Sequence, residues 1–190
     1  AKAPVSFFAY PGKKSYLVPD TCTVHTLATP AQDAPASLQK LAQALGAAQA
    51  QPRLQAPQRP DRPRGKLTAP KVCKAVGHLL PENAILIDEA ITSGLMLGAM
   101  TAGAPRHDLI TLTGGAIGQG LPNAIGAAIA RPDRPIIALI GDGTAMYTIQ
   151  ALWTMAREGL NVTAIIFNNA SYSVLNVELE RVGAEGAGPK

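Results

Sequence analysis

Two short, continuously apolar segments constrain the fold of this 190-residue chain more than any other feature. Residues 135–140 read PIIALI and residues 162–167 read VTAIIF. Between them, residues 144–158 have helical spacing, with Met146, Ile149 and Trp153 on one face. A strand that is apolar on both faces must be covered on both faces, which is the situation in parallel sheets. These segments therefore predict neighbouring buried strands of an α/β protein.

The rest of the second half of the chain alternates in the same way. Helices are predicted over residues 69–80, 93–101 and 121–130, and strands over residues 84–88 and 109–112. Strands interleaved with helices predict a doubly wound parallel α/β sheet. Because ligands of such sheets bind beyond the carboxyl ends of the strands, functional residues are expected just after Asp88, Leu112, Ile140 and Phe167.

The first half of the chain has a different character. Short strands are predicted at residues 5–9 and 23–27, and a helix at residues 34–50. So few large apolar residues make a poor independent core, so residues 1–50 are expected to be the end of an α/β domain that begins earlier. Residues 51–66 read QPRLQAPQRPDRPRGK, and their four prolines oppose both helix and sheet. They predict a linker that separates residues 1–50 from a domain over residues 67–190.

The net charge of +4 is concentrated in the first part of the chain. Residues 1–66 carry nine Lys and Arg against three Asp and Glu, and much of this excess lies in the predicted linker, which has no aromatic residue to stack on bases. No nucleic-acid partner is therefore expected. No apolar run is long enough to cross a membrane. Two cysteines make no disulfide framework, which favours reduced thiols and a cytoplasmic location.

Polar residues follow the two apolar strands at the expected positions. Gly141-Asp142-Gly143-Thr144 opens a helix after Ile140, and Asn168-Asn169-Ala170-Ser171-Tyr172 follows Phe167. A helix N-terminus suits a phosphate, and a carboxylate beside that phosphate argues for a bridging cation such as Mg²⁺. Each motif alone also fits a helix cap or an Asn turn. Together they are more specific, because they end sequential strands.

The spacing of these motifs, GDG followed by 24 residues and then NN, resembles that of enzymes dependent on thiamine diphosphate. The resemblance is to the diphosphate-binding domain of benzoylformate decarboxylase and the acetolactate synthase large subunit. It implies the thiamine-diphosphate-binding fold with thiamine diphosphate and Mg²⁺ as cofactors. It also implies that Asp142, Asn169 and the carbonyl of Ser171 hold the metal. The implied diphosphate contacts are Gly141, Gly143, Thr144 and Tyr172.

The resemblance extends upstream to two further segments. Asp88-Glu89-Ala90-Ile91-Thr92-Ser93 resembles the loop whose hydroxyls reach the diphosphate, which implies cofactor contacts at Glu89 and Thr92. Gly114-Gly115-Ala116-Ile117-Gly118-Gln119-Gly120-Leu121-Pro122 resembles the glycine-rich segment of benzoylformate decarboxylase. There the resemblance implies an apolar wedge under the cofactor at Ile117 and cofactor contacts at Gly115 and Ala116.

The resemblance implies an enzyme that acts on 2-oxo acids by decarboxylation or carboligation. It further implies that residues 1–50 end a central domain, that residues 67–190 are truncated at their C-terminal end, and that a pyrimidine-binding domain comes from a neighbouring subunit. A homodimer or homotetramer is therefore expected. The activating glutamate would lie in that partner domain, so no catalytic residue is assigned in this chain.

Two other readings remain. One is a non-catalytic α/β remnant. The other is a nucleotide-binding Rossmann-like domain, which is disfavoured because residues 115–120 have the glycine order GxxGxG instead of GxGxxG.

Overall fold

A computed structural model describes residues 4–6 and 9–184 and divides the chain into two compact units, residues 1–54 and residues 55–190. The division falls inside the segment 51–66 that the prolines predict as a linker. The linker role of this segment and the domain bounds 1–50 and 67–190 stay predictions.

The described part of the first unit contains one α-helix. Helix α1 spans Ala34–Ala44, and a single 3-10 turn follows at Ala47–Gln49. The helix predicted over 34–50 ends early because Gly46 adopts a left-handed conformation with a φ of 66°.

The strands predicted for the first unit are not seen in its described residues. The strand predicted at 23–27 is wrong, because these residues pair with no other segment and Val24 and Leu27 are exposed. Of the strand predicted at 5–9, residues 7 and 8 lie outside the described residues, and Val5 makes an isolated antiparallel bridge with Tyr16.

The second unit is built on a four-stranded sheet in which every pair of neighbours is parallel. The strands are β1 (Ile85–Glu89), β2 (Asp108–Thr111), β3 (Ile136–Gly141) and β4 (Val162–Phe167), in the order β2-β1-β3-β4. The chain moves outward from β1 to β2 and then returns past β1 to β3. The direction of winding reverses between β1 and β3, which is where doubly wound sheets bind ligands. The predicted doubly wound parallel sheet is confirmed.

Helices cover both faces of the central strands. Helices α2 (Ala69–Leu79) and α3 (Leu97–Thr101) pack on the face that includes Leu86 and Leu139, and their cluster contains Cys73, Val76 and Leu97. Helices α4 (Gly120–Ala130) and α6 (Ala151–Arg157) pack on the opposite face, against the side chains of Ile85, Ile87, Ile136 and Ile140. Because β1 and β3 are buried on both faces, the continuously apolar sequence of β3 and the apolar first three residues of β1 are explained.

Of the two strands predicted to be buried, the one at 162–167 is an outer strand of the sheet. Strand β4 is at the edge of the sheet, and its side chains are mostly half-buried or exposed, including Ile166. All four residues of β2, the other edge strand, are exposed. Continuous apolarity therefore indicates a parallel strand here without deciding whether that strand is central.

Two predicted helices are shorter than expected. The helix predicted over 93–101 begins at Leu97, because residues 90–94 first turn around the Asp88 carboxylate, which accepts a hydrogen bond from the Ala90 N–H at 3.1 Å. The helix predicted over 144–158 is split into α5 (Asp142–Ala145) and α6. The interruption holds Thr148, whose hydroxyl donates to the Gly118 carbonyl at 2.8 Å. Met146, Ile149 and Trp153 are exposed.

The residues that begin the second unit lie along α2 and α3. The Gln58 N–H donates to the Gly103 carbonyl, and the Arg59 guanidinium donates to the His78 carbonyl at 2.6 Å. The last helix, α7, spans Ser173–Arg181. Among residues 4–6 and 9–184, none of the helices has the length and apolarity that a membrane crossing needs.

Candidate functional site

A small cavity lies at the carboxyl ends of β1, β3 and β4, at the point where the winding of the sheet reverses. Its volume is about 50 Å³. It is lined by nine of the twelve residues that the sequence predicts for the cofactor and the metal: Thr92, Ile117, Gly141, Asp142, Gly143, Thr144, Asn169, Ser171 and Tyr172. The fold thus brings together segments that are up to 80 residues apart in the chain. Glu89, Gly115 and Ala116 are not part of its lining.

The turn from β3 into α5 is tied to the end of β1 by the Thr144 side chain. The buried Thr144 hydroxyl lies 2.8 Å from the Gly141 carbonyl and 3.3 Å from the Glu89 carbonyl, and both oxygens accept from it. Since this hydroxyl is already engaged, a phosphate at this position would be met by the backbone N–H groups that begin α5.

Gly143 is needed because the Tyr172 ring lies directly on its backbone. A Cβ at position 143 would come within 2.5 Å of the ring. The Tyr172 hydroxyl is 3.5 Å from the Gly143 carbonyl. The second glycine of the GDG motif therefore permits close contact between the β3 turn and the loop after β4.

Asp142 faces the loop after β4. Its Oδ2 accepts a hydrogen bond from the Ala170 N–H at 2.9 Å, and the Asn168 Oδ1 accepts from the same N–H at 3.1 Å. Asn169 Oδ1 accepts from the Ser171 N–H at 3.0 Å. Ala170 has a φ of 50°, in the left-handed region, which gives the loop a tight turn at this point. The motifs after β3 and β4 are therefore in direct contact.

The donor set in this contact fits Mg²⁺. Asp142 and Asn169, which line the cavity, offer a carboxylate and a side-chain amide oxygen, and the predicted third ligand is the backbone carbonyl of Ser171, which lines the same cavity. All three are hard oxygen ligands of the kind that this cation prefers. The oxygens of Asp142 and Asn169 that accept N–H groups retain further lone pairs for a cation. Within the described residues there is no group of three or more His, Cys, Asp or Glu side chains that could hold a metal. A metal site here would depend on this mixed set of oxygens.

Asp88 shapes the loop that carries Thr92, a role that the sequence did not indicate. Gly94 approaches the Asp88 carboxylate so closely that a Cβ there would lie 2.6 Å from Oδ1. Burial raises the pKa of Asp88, and the hydrogen bond from the Ala90 N–H opposes that rise. Burial, together with the negative charge of Asp88, also raises the pKa of the neighbouring Cys73 thiol. An Asp at a strand end followed six residues later by Gly was the available signal.

Glu89 is placed differently from the other predicted residues. Its buried carboxylate accepts hydrogen bonds from the N–H groups of Gly118, Gln119 and Gly120, at 2.8, 3.1 and 2.8 Å. The carboxylate therefore faces the beginning of α4, and Glu89 does not line the cavity. Gly115 has a φ of 67°. The cofactor contacts predicted for Glu89, Gly115 and Ala116 stay predictions.

Known proteins are similar to this chain in both sequence and structure. A protein of Mycobacterium tuberculosis (strain H37Rv), provisionally named acetolactate synthase large subunit IlvX, is 53% identical over the whole chain, which spans 37% of that protein. An alpha-keto-acid decarboxylase of Mycobacterium avium (strain 104) is 40% identical over 57% of this chain and 19% of its own length. The chain therefore spans well under half of these relatives.

Two solved structures have a similar fold. The thiamine diphosphate-dependent 4-hydroxybenzoylformate decarboxylase of Rhodococcus jostii RHA1 matches 81% of this chain and 29% of its own chain, with a TM-score of 0.67 and 29% identity. The benzoylformate decarboxylase of Polynucleobacter necessarius matches 73% of this chain and 27% of its own, with a TM-score of 0.56. At 22% identity, the second match bears on the fold alone.

The part of the chain that matches a known family contains most of the residues that line the cavity. Residues 93–187, half of the chain, match the family described as thiamine pyrophosphate enzyme, C-terminal TPP binding domain, where TPP is thiamine pyrophosphate, also called thiamine diphosphate. The match includes the GDG motif and the loop after β4. The chain therefore belongs to the thiamine pyrophosphate enzymes, through their C-terminal cofactor-binding domain.

Proposed function

We propose that this chain supplies the diphosphate and Mg²⁺ site of an enzyme that uses thiamine diphosphate to decarboxylate or carboligate 2-oxo acids. The observation that carries the proposal is the contact between Asp142 and the loop 168–172 beside the N-terminus of α5. One carboxylate next to a phosphate-binding helix start requires a cation between the two negative charges. The names of the relatives, which include an alpha-keto-acid decarboxylase, support the 2-oxo acid as substrate class.

Each part of the site has a distinct task in this proposal. Asp142, Asn169 and the Ser171 carbonyl would hold Mg²⁺, and the N–H groups of Gly143 and Thr144 would orient the diphosphate. Ile117, which lines the same cavity, would support the cofactor from its apolar side. The bound cofactor supplies the stabilisation of negative charge that removal of carbon dioxide from a 2-oxo acid requires. The protein supplies position and exclusion of water.

We further propose that the remaining half of the site comes from a pyrimidine-binding domain of a neighbouring subunit, in a homodimer or homotetramer located in the cytoplasm. Among the described residues that line the cavity, Asp142 is the only carboxylate. It is assigned to the metal, so no carboxylate among these described lining residues is left to activate the pyrimidine ring. Residues 1–190 alone are therefore expected to release no measurable carbon dioxide from pyruvate or benzoylformate. Turnover in the ordinary range of about 1–10³ s⁻¹ would contradict this.

The metal assignment is tested by Asp142→Asn, with Asp133→Asn as the matched control. An Asn at 142 keeps an oxygen for the Ala170 N–H, so the loop keeps its contact while the negative charge is lost. Asp133 is exposed and its ion pair with Arg131 lies outside the cavity lining. Calorimetry on the native polypeptide should give an Mg²⁺-dependent thiamine diphosphate affinity that is about 10-fold or more weaker for Asp142→Asn. Equal affinities in wild type and both variants would refute the site.

A further inference from the structure

We infer that Glu89 is a positioning residue, whose buried carboxylate holds the segment with Ile117 at the cavity. The role of Ile117 in supporting a bound cofactor rests on the proposed function. The placement itself rests on contacts of this chain alone. Glu89 is the last residue of β1 and is 2% exposed.

The Glu89 carboxylate meets three N–H groups that no helical carbonyl satisfies. Gly118, Gln119 and Gly120 stand where α4 begins, and the first N–H groups of a helix have no intrahelical partner. A negative charge is favourable at this end of the helix dipole. Because Glu89 Oε1 accepts from both Gly118 and Gln119 while Oε2 accepts from Gly120, both oxygens are used and the carboxylate is fixed in orientation.

The approach of α4 to Glu89 depends on a residue without a side chain. A Cβ at Gly120 would lie 2.6 Å from Glu89 Oε2 and 2.6 Å from the Ile140 side chain. The carboxylate thus occupies the space that any other residue at 120 would fill. This close fit transmits the position of the β1 end directly to the beginning of α4.

Gly118 is fixed from two sides, immediately next to Ile117. Its N–H donates to Glu89, and its carbonyl accepts from the Thr148 hydroxyl at 2.8 Å. Its φ is 97°, and a Cβ there would meet the Tyr147 side chain at 2.6 Å. With both peptide groups around Gly118 held, the backbone that presents Ile117 has little freedom.

The backbone of Glu89 serves the other half of the site. Its carbonyl accepts from the Thr144 hydroxyl at 3.3 Å, next to Asp142. One residue therefore contacts the GDG turn through its backbone and the Ile117 segment through its side chain. A change in side-chain length should shift Ile117 relative to Asp142 and leave the Asp142 contacts in place. A residue that merely capped α4 would affect stability without this selective shift.

Glu89→Asp tests the inference, with Glu82→Asp as the control. The shorter Asp keeps the charge but cannot reach all three N–H groups, whereas Glu82 is exposed and is not among the described residues that line the cavity. In the assembled holoenzyme, Glu89→Asp should keep the Mg²⁺-dependent cofactor affinity within about 3-fold of wild type. Its kcat should fall by about 10- to 100-fold, as expected for small misplacements. An unchanged kcat with a lower unfolding midpoint would overturn the positioning role.

Amide hydrogen exchange on the native polypeptide without cofactor supplies a readout that does not depend on activity. Glu89→Asp should raise exchange at residues 116–120 by about 10-fold or more, while residues 168–172 keep the wild-type rate. Equal rates at 116–120, or a uniform rise across the second unit, would overturn the inference. A wild-type protein that fails to bind thiamine diphosphate would refute the proposed function and leave this exchange result to decide the placement.

Two further variants guard against a Glu89 change that fails to fold. Glu89→Gln removes the charge and turns an amide donor toward N–H groups, so its effect should exceed that of Glu89→Asp. Thr148→Val leaves Glu89 intact and removes the hydrogen bond that the Thr148 hydroxyl donates to the Gly118 carbonyl. It should raise exchange over the same residues 116–120. No local change in Thr148→Val would contradict a segment held from two sides.

Discussion

Helices α1 and α2 begin in the same way but differ in how much of their surface is buried. Each has eleven residues, a proline in its first turn and a side-chain cap. In α1 the Asp33 carboxylate accepts from the Ala36 N–H at 2.9 Å, and in α2 the Thr68 hydroxyl accepts from the Lys71 N–H at 3.4 Å. Yet α1 has no buried residue, whereas α2 buries Cys73, Val76 and Gly77.

The difference arises from what each unit offers to cover an apolar face. α1 has an apolar stripe that continues to its C-cap residue, but the leucines of this stripe remain 41–73% exposed (Leu38, Leu41, Leu45). No strand occurs in the described part of the first unit, so no sheet is available there for the stripe to pack on. α2 packs on the cluster that contains Leu86 and Leu139. Caps and periodicity therefore specify where a helix begins, and burial depends on a sheet being present.

The greatest loss of stability is expected when one leucine side chain is truncated in each unit in turn. Leu86→Ala should lower the free energy of unfolding of the second unit by about 2–5 kcal/mol, because it leaves a cavity in a close-packed core. Leu41→Ala in α1 should change the free energy of unfolding of the second unit by less than about 0.5 kcal/mol. The single tryptophan, Trp153, lies in the second unit, so urea unfolding followed by its fluorescence measures that unit. Similar losses in both variants would break the comparison.

A smaller effect is expected from the two helix caps. Thr68→Ala should lower the free energy of unfolding of the second unit by about 1 kcal/mol, because the capped N–H loses its partner and α2 is part of the core. Asp33→Ala should reduce the helix signal in far-ultraviolet circular dichroism and leave the tryptophan transition unchanged. A shift of that transition in Asp33→Ala would mean that α1 contributes to the stability of the second unit.

The smallest effect concerns pH. Burial raises the pKa of Asp88 above its ordinary value of 3.8, so the folded state binds this proton more tightly than the unfolded state. The contribution of Asp88 to stability therefore falls as the pH rises from 3.8 through the raised folded-state pKa, and is constant above it. Asp88→Asn keeps an acceptor for the Ala90 N–H and should remove this fall.

The pH prediction is measured as the unfolding free energy of Asp88→Asn minus that of wild type, followed by Trp153 fluorescence. This difference should rise with pH across the same window. Asp33→Asn is the matched control, because Asp33 lies outside the second unit, whose unfolding Trp153 reports. A flat difference for Asp88→Asn would show that burial does not act on this carboxyl.

Much of the second unit could be predicted because its signals are local. The strand at 162–167 has the predicted bounds, and the helix at 69–80 differs from α2 by one residue. Helical caps, apolar runs and glycines act within a few residues of one another, so they are legible in the sequence. The split between α5 and α6 could not be predicted from the sequence. The residues between these helices include Thr148, which donates a hydrogen bond to Gly118, 30 residues away.

The same distinction applies to the candidate site. Nine predicted residues line one cavity, because parallel strands with polar residues at their carboxyl ends must bring those residues to one edge. The cofactor contact of Glu89 stays a prediction, and its carboxylate faces the beginning of α4. Its partners are 29–31 residues further along the chain, and nothing near Glu89 in the sequence identifies them.

Residue order was enough to predict the alternation of strands and helices in the second unit, the chemical types gathered after Asp88, Ile140 and Phe167, and the family. These depend on interactions between near neighbours and on residue spacing. Three features became visible only in the folded chain: β4 is an edge strand, the leucines of α1 are exposed, and Glu89 connects β1 to α4. Burial and long-range hydrogen bonds depend on which segments become neighbours, and the order of the strands is a property of the whole sheet.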